Sequence, residues 1–387
     1  MKNFELYMPT RIVFGKDGLK KLNQEIKKYG TNVLITYGGG SIKKNGIYDQ
    51  VIEKLSDCNI FELAGIQPNP RIESVRQGVK LCKENKIDVI LAIGGGSTID
   101  CSKVIAAGAK YEKDAWDLVL DSSLIQDALP IIDILTLSAT GSETNNTAVI
   151  SDYNQHLKLG VSSPYLFPKT AFLNPEFTYS VPQFQSASGI ADIFSHLSEI
   201  YFNEDDEAMI HQSMMEGVYR TIIHYAPIVL EHPDHYQARA NIMWSATMAL
   251  NGLFRTAFGG GWSCHPMEHT LSAYYDVTHG AGLAVLTPAW MEYVLDEKSM
   301  HRFADFARNV WQIQEGPEEE MARAAIEKTK EFFFKTLRLP SSLSQLGVLE
   351  DKLSEMAQNA VDSKGGVIKG FRTLEKEDVL KIYQNCF

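Results

Sequence analysis

Through its first half the chain alternates short, continuous apolar runs with longer stretches whose apolar residues recur every three or four positions. The runs RIVFG (11–15), NVLITY (32–37), DVILAI (88–93), IDILTL (132–137), TAVIS (147–151) and TAFLN (170–174) are aliphatic and bounded by glycine or polar turns, which predicts strands. Between the early ones, LKKLNQEIKKYG, YDQVIEKLSDC and IESVRQGVKLCKEN carry the spacing of amphipathic helices. Strands separated by helices predict a parallel, Rossmann-like sheet with helices on its faces. The pattern changes after NPEFTYSVP, where Pro175 and Pro182 punctuate a turn-rich segment. Beyond it, ADIFSHLSEIYF, QSMMEGVYRTIIHYAPIVL, ARANIMWSATMALNGLF, HRFADFARNVWQI and MARAAIEKTKEFFFKTL read as successive helices. The expectation is an α/β N-terminal domain over 1–180 and an all-α C-terminal domain over 181–387.

Composition narrows this picture a little. A chain of 387 residues exceeds one simple core, and 44% hydrophobic with 22% charged residues is ordinary for a globular protein. The net charge of −11 argues against nucleic acid or an anionic membrane as the main partner. Any anionic cofactor has to be held by local donors. Five cysteines without a CxxC pair suit a reducing compartment. The start MKNFELYMPT lacks the apolar stretch of a signal peptide, and no apolar run reaches membrane-spanning length. A soluble cytoplasmic protein is expected.

Two turns carry candidate chemistry. GGGS follows NVLITY as Gly38, Gly39, Gly40 and Ser41, and follows DVILAI as Gly94, Gly95, Gly96 and Ser97. Each stands between a predicted strand and a helix, where glycine lets backbone approach a phosphate and a helix N-terminus offers free N–H groups. Neither copy matches G-x-G-x-x-G, and either alone is also compatible with a tight βα turn. Asp100 can brace the second turn or face ligand. In LTLSATGSETN, Thr136, Thr140 and Ser142 are candidates for phosphate, ribose or adenine, and Thr147 at the head of the next strand joins them. Lys158 is the nearest cation, although a solvent-facing lysine is the default. No acid stands at 38–41 to repel a 2′-phosphate, and Lys43 and Lys44 follow. NADPH is therefore favoured and NADH not excluded.

The second half offers a metal shell. Asp192 and His196, four apart on a predicted helix, project from one face. His265 opens CHPMEHTLSAYY with Pro266 suited to a helix's first turn, and His279 lies in the following turn DVTHGAG. Three imidazoles and one carboxylate suit Fe²⁺, or alternatively Zn²⁺. A competing pattern is H-x-x-E-H, with His265 and His269 as ligands and Glu268 as base, but it leaves Asp192, His196 and both glycine turns without a role. His156, His211, His224, His232, His235 and His301 fit no comparable cluster.

Together GGGSTID, LSATGSE, ADIFSH and CHPMEHTLSAYYDVTHGAGLA resemble the iron-containing (group III) alcohol dehydrogenase family, in its butanol dehydrogenase and broad-specificity aldehyde reductase branch. The likeness extends over essentially the whole chain, including PTRIVFG and GIQPNPRIESV. It implies the dehydroquinate synthase-like fold of that family, with Asp192, His196, His265 and His279 as metal ligands and His269 beside the nicotinamide. It assigns Gly94, Gly95, Gly96 and Ser97 to the pyrophosphate, and Thr136, Thr140, Lys158 and Thr178 to the rest of the dinucleotide, with Asn69 nearby. The family's more widespread T-x-G-T-G-S-E is SATGSE here, a change on the adenosine side and not in the chemistry. Gly39 stands where NAD-preferring members often carry aspartate. The implied activity is metal-dependent, NAD(P)H-linked interconversion of primary alcohols such as butanol and their aldehydes. A dehydroquinate synthase-like lyase would need several cations for an acidic substrate, whereas LNGLFRTAFGGGW and CHPMEH supply only Arg255. The same fold also accommodates a polyol-oxidising, glycerol-type enzyme, and a non-catalytic binding protein is the blandest reading. Phe254, Phe258 and Trp262 are expected to set substrate length, and RIVFG either pairs across a homodimer or forms a buried edge.

Overall fold

A computed structural model describes residues 3–203, 207–256 and 261–387. The chain divides into two compact units, one formed by Tyr7–Val181 with Asp234–Met243, the other by Met1–Leu6, Pro182–Pro233 and Trp244–Phe387.

The first unit is built on a parallel sheet. Strands β1 (Arg11–Phe14), β2 (Asn32–Tyr37), β3 (Asn59–Leu63), β4 (Val89–Gly94), β5 (Ile131–Leu135) and β8 (Thr170–Leu173) lie in the order β1-β8-β5-β4-β2-β3. All five pairings are parallel. The strands β4 and β5 are buried along their whole length, because a parallel sheet is covered on both faces and has no wet side. Alternate residues serve opposite layers. Leu34 and Ile90 join Ile72, Val75 and Val104 of α4 (Ile72–Glu84) and α5 (Gly96–Gly108). Val33, Ile35, Val89 and Leu91 pack instead with Leu22 and Ile26 of α1 (Leu22–Lys27) and Val51 of α3 (Ile47–Lys54), while α2 (Ser41–Lys44) lies between those two helices in sequence. From β2 the chain moves outward to β3; from β4 it moves the other way, to β5. The carboxyl ends of β2 and β4 therefore flank the point where strand order reverses, the usual ligand position in open α/β sheets.

Three details depart from the sequence expectations. TAVIS does not enter the parallel sheet; as β6 (Thr147–Asp152) it forms an antiparallel hairpin with β7 (Leu157–Ser162). Neither β7 nor β3 shows a clear apolar run, since each is interrupted by polar or glycine residues. The stretch Asp234–Met243 belongs with the first unit although it is helical. Its Met243 is buried against Ala92, Ile99, Leu135 and Leu173, and Lys16 lies over the Tyr236 ring at 4.7 Å.

The second unit is helical. After the short α6 (Ala115–Leu120) of the first unit come α7 (Gln183–Tyr201), α8 (Met209–Glu231), α9 (Tyr236–Leu250, the part up to Met243 belonging to the first unit), α10 (Cys264–Tyr275), α11 (His279–Val294), α12 (Met300–Asn309), α13 (Glu318–Lys330), α14 (Leu353–Asp362) and α15 (Lys376–Gln384). Helix α7 is buried continuously from Ser186 to Tyr201, although Asp192, His196 and Glu199 share one of its faces. Phe194, near its middle, packs its ring against Tyr219 at 4.7 Å and Phe333 at 5.0 Å. Helix α11 crosses α7 so closely that a Cβ on Gly280 would stand 1.9 Å from the Ser188 carbonyl oxygen. Only glycine allows that approach.

Candidate metal centre and nucleotide-binding turns

Asp192 and His196 leave α7 one turn apart, His265 sits in the first turn of α10, and His279 opens α11. Helix α10 stops at Asp276, which takes a left-handed conformation at φ 52°, and the chain turns directly into α11. The Gly280–Ser188 contact then brings His279 beside Asp192, one helical turn beyond Ser188.

The four side chains converge. Asp192 Oδ1 lies 3.4 Å from His196 Nε2, 3.6 Å from His279 Nε2 and 4.0 Å from His265 Nε2. Ligands about 2.1 Å from a tetrahedral ion would stand roughly 3.4 Å apart. Asp192, His265 and His279 each offer a ligand atom within 4.8 Å of the others. Asp192 Oδ1 and His265 Nε2 are buried and have no hydrogen-bond partner among the described residues. An acceptor-only carboxylate oxygen facing imidazole lone pairs in a buried place is costly unless a cation joins them. The donor set therefore fits a divalent metal of borderline hardness. Burial pushes His196 down to about 3, against the opposing pull of Asp192, so its ring is neutral as a ligand must be.

Two carboxylates stand behind the imidazoles. Glu199 accepts the Nδ1–H of His265 at 3.0 Å, and also the backbone N–H groups of Ser263, Cys264 and His265 at 2.7, 2.6 and 3.0 Å. One side chain thus satisfies the N-terminus of α10 and sets the tautomer that leaves His265 Nε2 unprotonated. Glu268 does the same for His279 Nδ1 and accepts from Ser272 Oγ. Sequence reasoning missed both carboxylates as supports, although Glu199 lies seven residues after Asp192 and so on its helical face. Glu268, the base of the competing H-x-x-E-H pattern, is fully buried and committed to His279. The His269 ring lies 5.8 Å from that of His279 and 6.5 Å from that of His265. Trp262 stands edge-on to His265 at 4.6 Å and His196 at 5.9 Å, with Arg255 over its ring at 5.3 Å. Phe254 is buried in the core, and Phe258 lies outside the described residues.

In the α/β unit the turn at 94–97 is a tight backbone cradle. A Cβ on Gly94 would meet Thr98 Oγ1 at 2.4 Å, and one on Gly96 would meet Thr140 Oγ1 at 2.4 Å. The N-terminus of α5 opens there, at the end of β4, which fits a pyrophosphate. The turn after β2 is open: Gly40 has φ +87°, and a Cβ on Gly39 would touch nothing within 4 Å. Asp100, Ser142 and Thr147 form a brace. Asp100 accepts from Ser142 Oγ at 2.5 Å and the Val149 N–H at 2.9 Å, and Thr147 donates to Asn145 Oδ1 at 3.0 Å. Buried Lys103, which sequence reasoning missed, ties the brace together through Ser142 Oγ at 2.9 Å, Asn145 Oδ1 at 2.9 Å and the Thr147 carbonyl at 2.7 Å. Lys158 is not solvent-facing. It is buried and donates to Asn69 Oδ1 at 2.9 Å, because the backbone of Pro70 is stitched to Ser151 of β6. Thr136 is half-buried at the end of β5, and Thr178 is buried and donates to the Pro175 carbonyl at 2.7 Å.

The profile of the family described as iron-containing alcohol dehydrogenase matches residues 9–175, and that of its C-terminal part matches residues 186–387. The chain belongs to the iron-containing alcohol dehydrogenase family. Among its relatives in that family, NADH-dependent butanol dehydrogenase A of Clostridium acetobutylicum is 49% identical over 390 residues, covering 100% of both chains. NADPH-dependent aldehyde reductase YqhD of Escherichia coli is 40% identical over 351 residues and 90% of each chain. The solved NADH-dependent butanol dehydrogenase A of Thermotoga maritima superposes with a TM-score of 0.95 at 41% identity, over 100% of this chain and 99% of that one. Family membership carries the α/β plus helical architecture and the oxidoreductase class with it. No helix among the described residues is long and apolar enough to cross a membrane.

Proposed function

We propose that the protein is a metal-dependent, NAD(P)H-linked alcohol dehydrogenase that interconverts small aldehydes and primary alcohols of about butanol's size. The observation that carries this reading is the convergence of His196, His265 and His279 on a buried, unpartnered oxygen of Asp192. These four residues would hold the cation, Fe²⁺ in first place and Zn²⁺ as the alternative. When bound, the cation supplies Lewis acidity toward the carbonyl oxygen and the reduced dinucleotide supplies hydride. Asp192 contributes the single anion of the set, which leaves a divalent site with a net positive charge to stabilise an alkoxide. Glu199 and Glu268 keep the Nδ1 protons of His265 and His279 in place, so both rings present Nε2. Trp262 covers His265 and His196 and excludes water from that side of the site. His269 is the group to which we assign proton delivery to the alkoxide.

For the dinucleotide, the glycines at 94–96 would take the pyrophosphate, and Lys158 with Asn69 a ribose hydroxyl or phosphate. The support is the close packing of Gly94 and Gly96 and their place at the reversal of strand order. Relatives named for NADH and for NADPH both exist, and we propose that either cofactor is accepted. Open space at Gly39 favours admission of a 2′-phosphate. Of the two lysines expected to favour that phosphate, Lys43 and Lys44, Lys43 is already paired to Glu62, so the preference for NADPH loses part of its basis.

Metal analysis of protein purified without air, beside butanal reduction followed by nicotinamide absorbance, tests the reading. Asp192→Ala and His265→Ala should lose metal and turnover while still binding NADH. Full activity in a metal-free His265→Ala protein would remove the mechanism.

A further inference from the structure

The Lys43 ammonium, just past the open turn after β2, sits in a cage. Its Nζ is 2.8 Å from Glu62 Oε2, and it lies over the rings of Tyr48 at 4.3 Å and Tyr37 at 5.1 Å. Both phenols donate to the same carboxylate, Tyr37 to Oε2 and Tyr48 to Oε1. Glu62 comes from β3, the neighbour of β2 at the sheet edge, and Tyr37 is the last residue of β2. Backbone bonds from Gly65 to Gly38 and from Ile66 to Tyr37 hold the two strand ends in register. Although partial burial alone would raise it, the Lys43 ammonium and the two phenols drive Glu62 down to about 2, so it is ionised at any working pH.

We propose that Glu62 is the cofactor-selecting residue: by holding Lys43 as its counter-ion it disfavours the 2′-phosphate of NADPH against the free 2′-hydroxyl of NADH. This rests on the reading of the two glycine turns as a dinucleotide site with its adenosine ribose at the end of β2. A 2′-phosphate arriving at that turn meets an ion pair of zero net charge, not a free cation. To recruit Lys43 it has to displace a carboxylate held by two phenols, and it feels that carboxylate's repulsion while doing so. A hydroxyl suffers neither effect, and the exposed side of Gly39 admits both cofactors sterically. Charge pairing therefore decides the ratio, and space does not.

Isothermal titration of the metal-loaded protein with 2′,5′-ADP and with 5′-ADP reads the 2′ group directly, apart from turnover. Glu62→Gln keeps one carbonyl oxygen, enough for one of the two phenols, and removes the counter-ion. One unit of released positive charge some 5 Å from a dianion predicts roughly a tenfold tighter complex with 2′,5′-ADP, with 5′-ADP unchanged. The kcat/KM ratio of NADPH to NADH should rise in parallel, and adding Lys43→Met to Glu62→Gln should abolish the gain. Lys43→Met alone leaves Glu62 as an unpaired anion, so 2′,5′-ADP should bind about tenfold more weakly with 5′-ADP unchanged. An unchanged ligand ratio in Glu62→Gln, a gain that survives the second substitution, or unchanged 2′,5′-ADP binding in Lys43→Met alone would each overturn the proposal. If neither nucleotide nor NADH binds the wild-type protein, the dinucleotide reading itself falls and takes this inference with it.

Discussion

Replacing Glu199 by glutamine separates the two duties that one carboxylate performs. Its Oε1 receives the N–H groups of Cys264 and His265 and the Nδ1–H of His265, and its Oε2 receives the Ser263 N–H. A carboxamide has a single oxygen. Turned to keep the three donors at Oε1, it points two hydrogens at the Ser263 N–H, so one charge-assisted bond becomes a donor facing a donor. With the charge also lost from the N-terminus of α10, the cost is about 2–4 kcal/mol. His265 keeps a neutral acceptor and loses its charged one, which predicts metal affinity lower by about 10–100-fold. Urea unfolding of metal-free wild type and Glu199→Gln isolates the first effect. Competition for Fe²⁺ or Zn²⁺ against a chelator isolates the second. An unchanged urea midpoint would refute the capping role, and unchanged affinity would refute the orienting role.

Gly280→Ala sets a methyl group against the Ser188 carbonyl, so α11 must retreat and carry His279 with it; we expect about 1–3 kcal/mol lower stability and reduced metal content, both absent if the helices simply slide. His269→Ala should slow the chemical step by about 10²-fold with metal content unchanged, as read by single-turnover kinetics and metal analysis; metal loss would move His269 into the ligand set. Burial holds Lys103 at about 8 against its ordinary 10.5. Between those values the unfolded chain keeps a proton that the folded one has released, so stability rises with pH there, by about 3 kcal/mol from this group. Urea midpoints of wild type and Lys103→Met at both ends of the window should diverge by that amount, and parallel curves would show that Lys103 stays charged.

The sheet strands that carry the glycine turns are readable because β2 and β4 are continuous apolar runs ending in GGGS. β3 and β7 are not, since Glu62 and Gly160 interrupt any simple pattern. The candidate metal shell is legible on α7 from the i, i+4 spacing of Asp192 and His196. That His265 and His279 meet them depends on Gly280, whose role as a helix contact has no local signature. Glu199 and Glu268 read as ordinary helix carboxylates until their partners are seen, because those partners come from other turns of chain. Lys158 departs from the solvent-facing default for the same reason: its burial is made by Asn69 and the Pro70 backbone, some ninety positions away.

The four proposed metal ligands all come from the segments Pro182–Pro233 and Trp244–Phe387, whereas the glycine turns, Lys43 and Glu62 all lie in Tyr7–Val181. On the proposed assignments, hybrids with a related dehydrogenase would exchange nucleotide choice while inheriting the cation site intact. A splice made only after Val181 would strand Asp234–Met243, whose Met243 is packed beneath Ala92 and Leu135. A working hybrid has to transplant that decapeptide together with the sheet it packs on, which calls for four junctions in the gene, one at each end of Tyr7–Val181 and of Asp234–Met243, and not one.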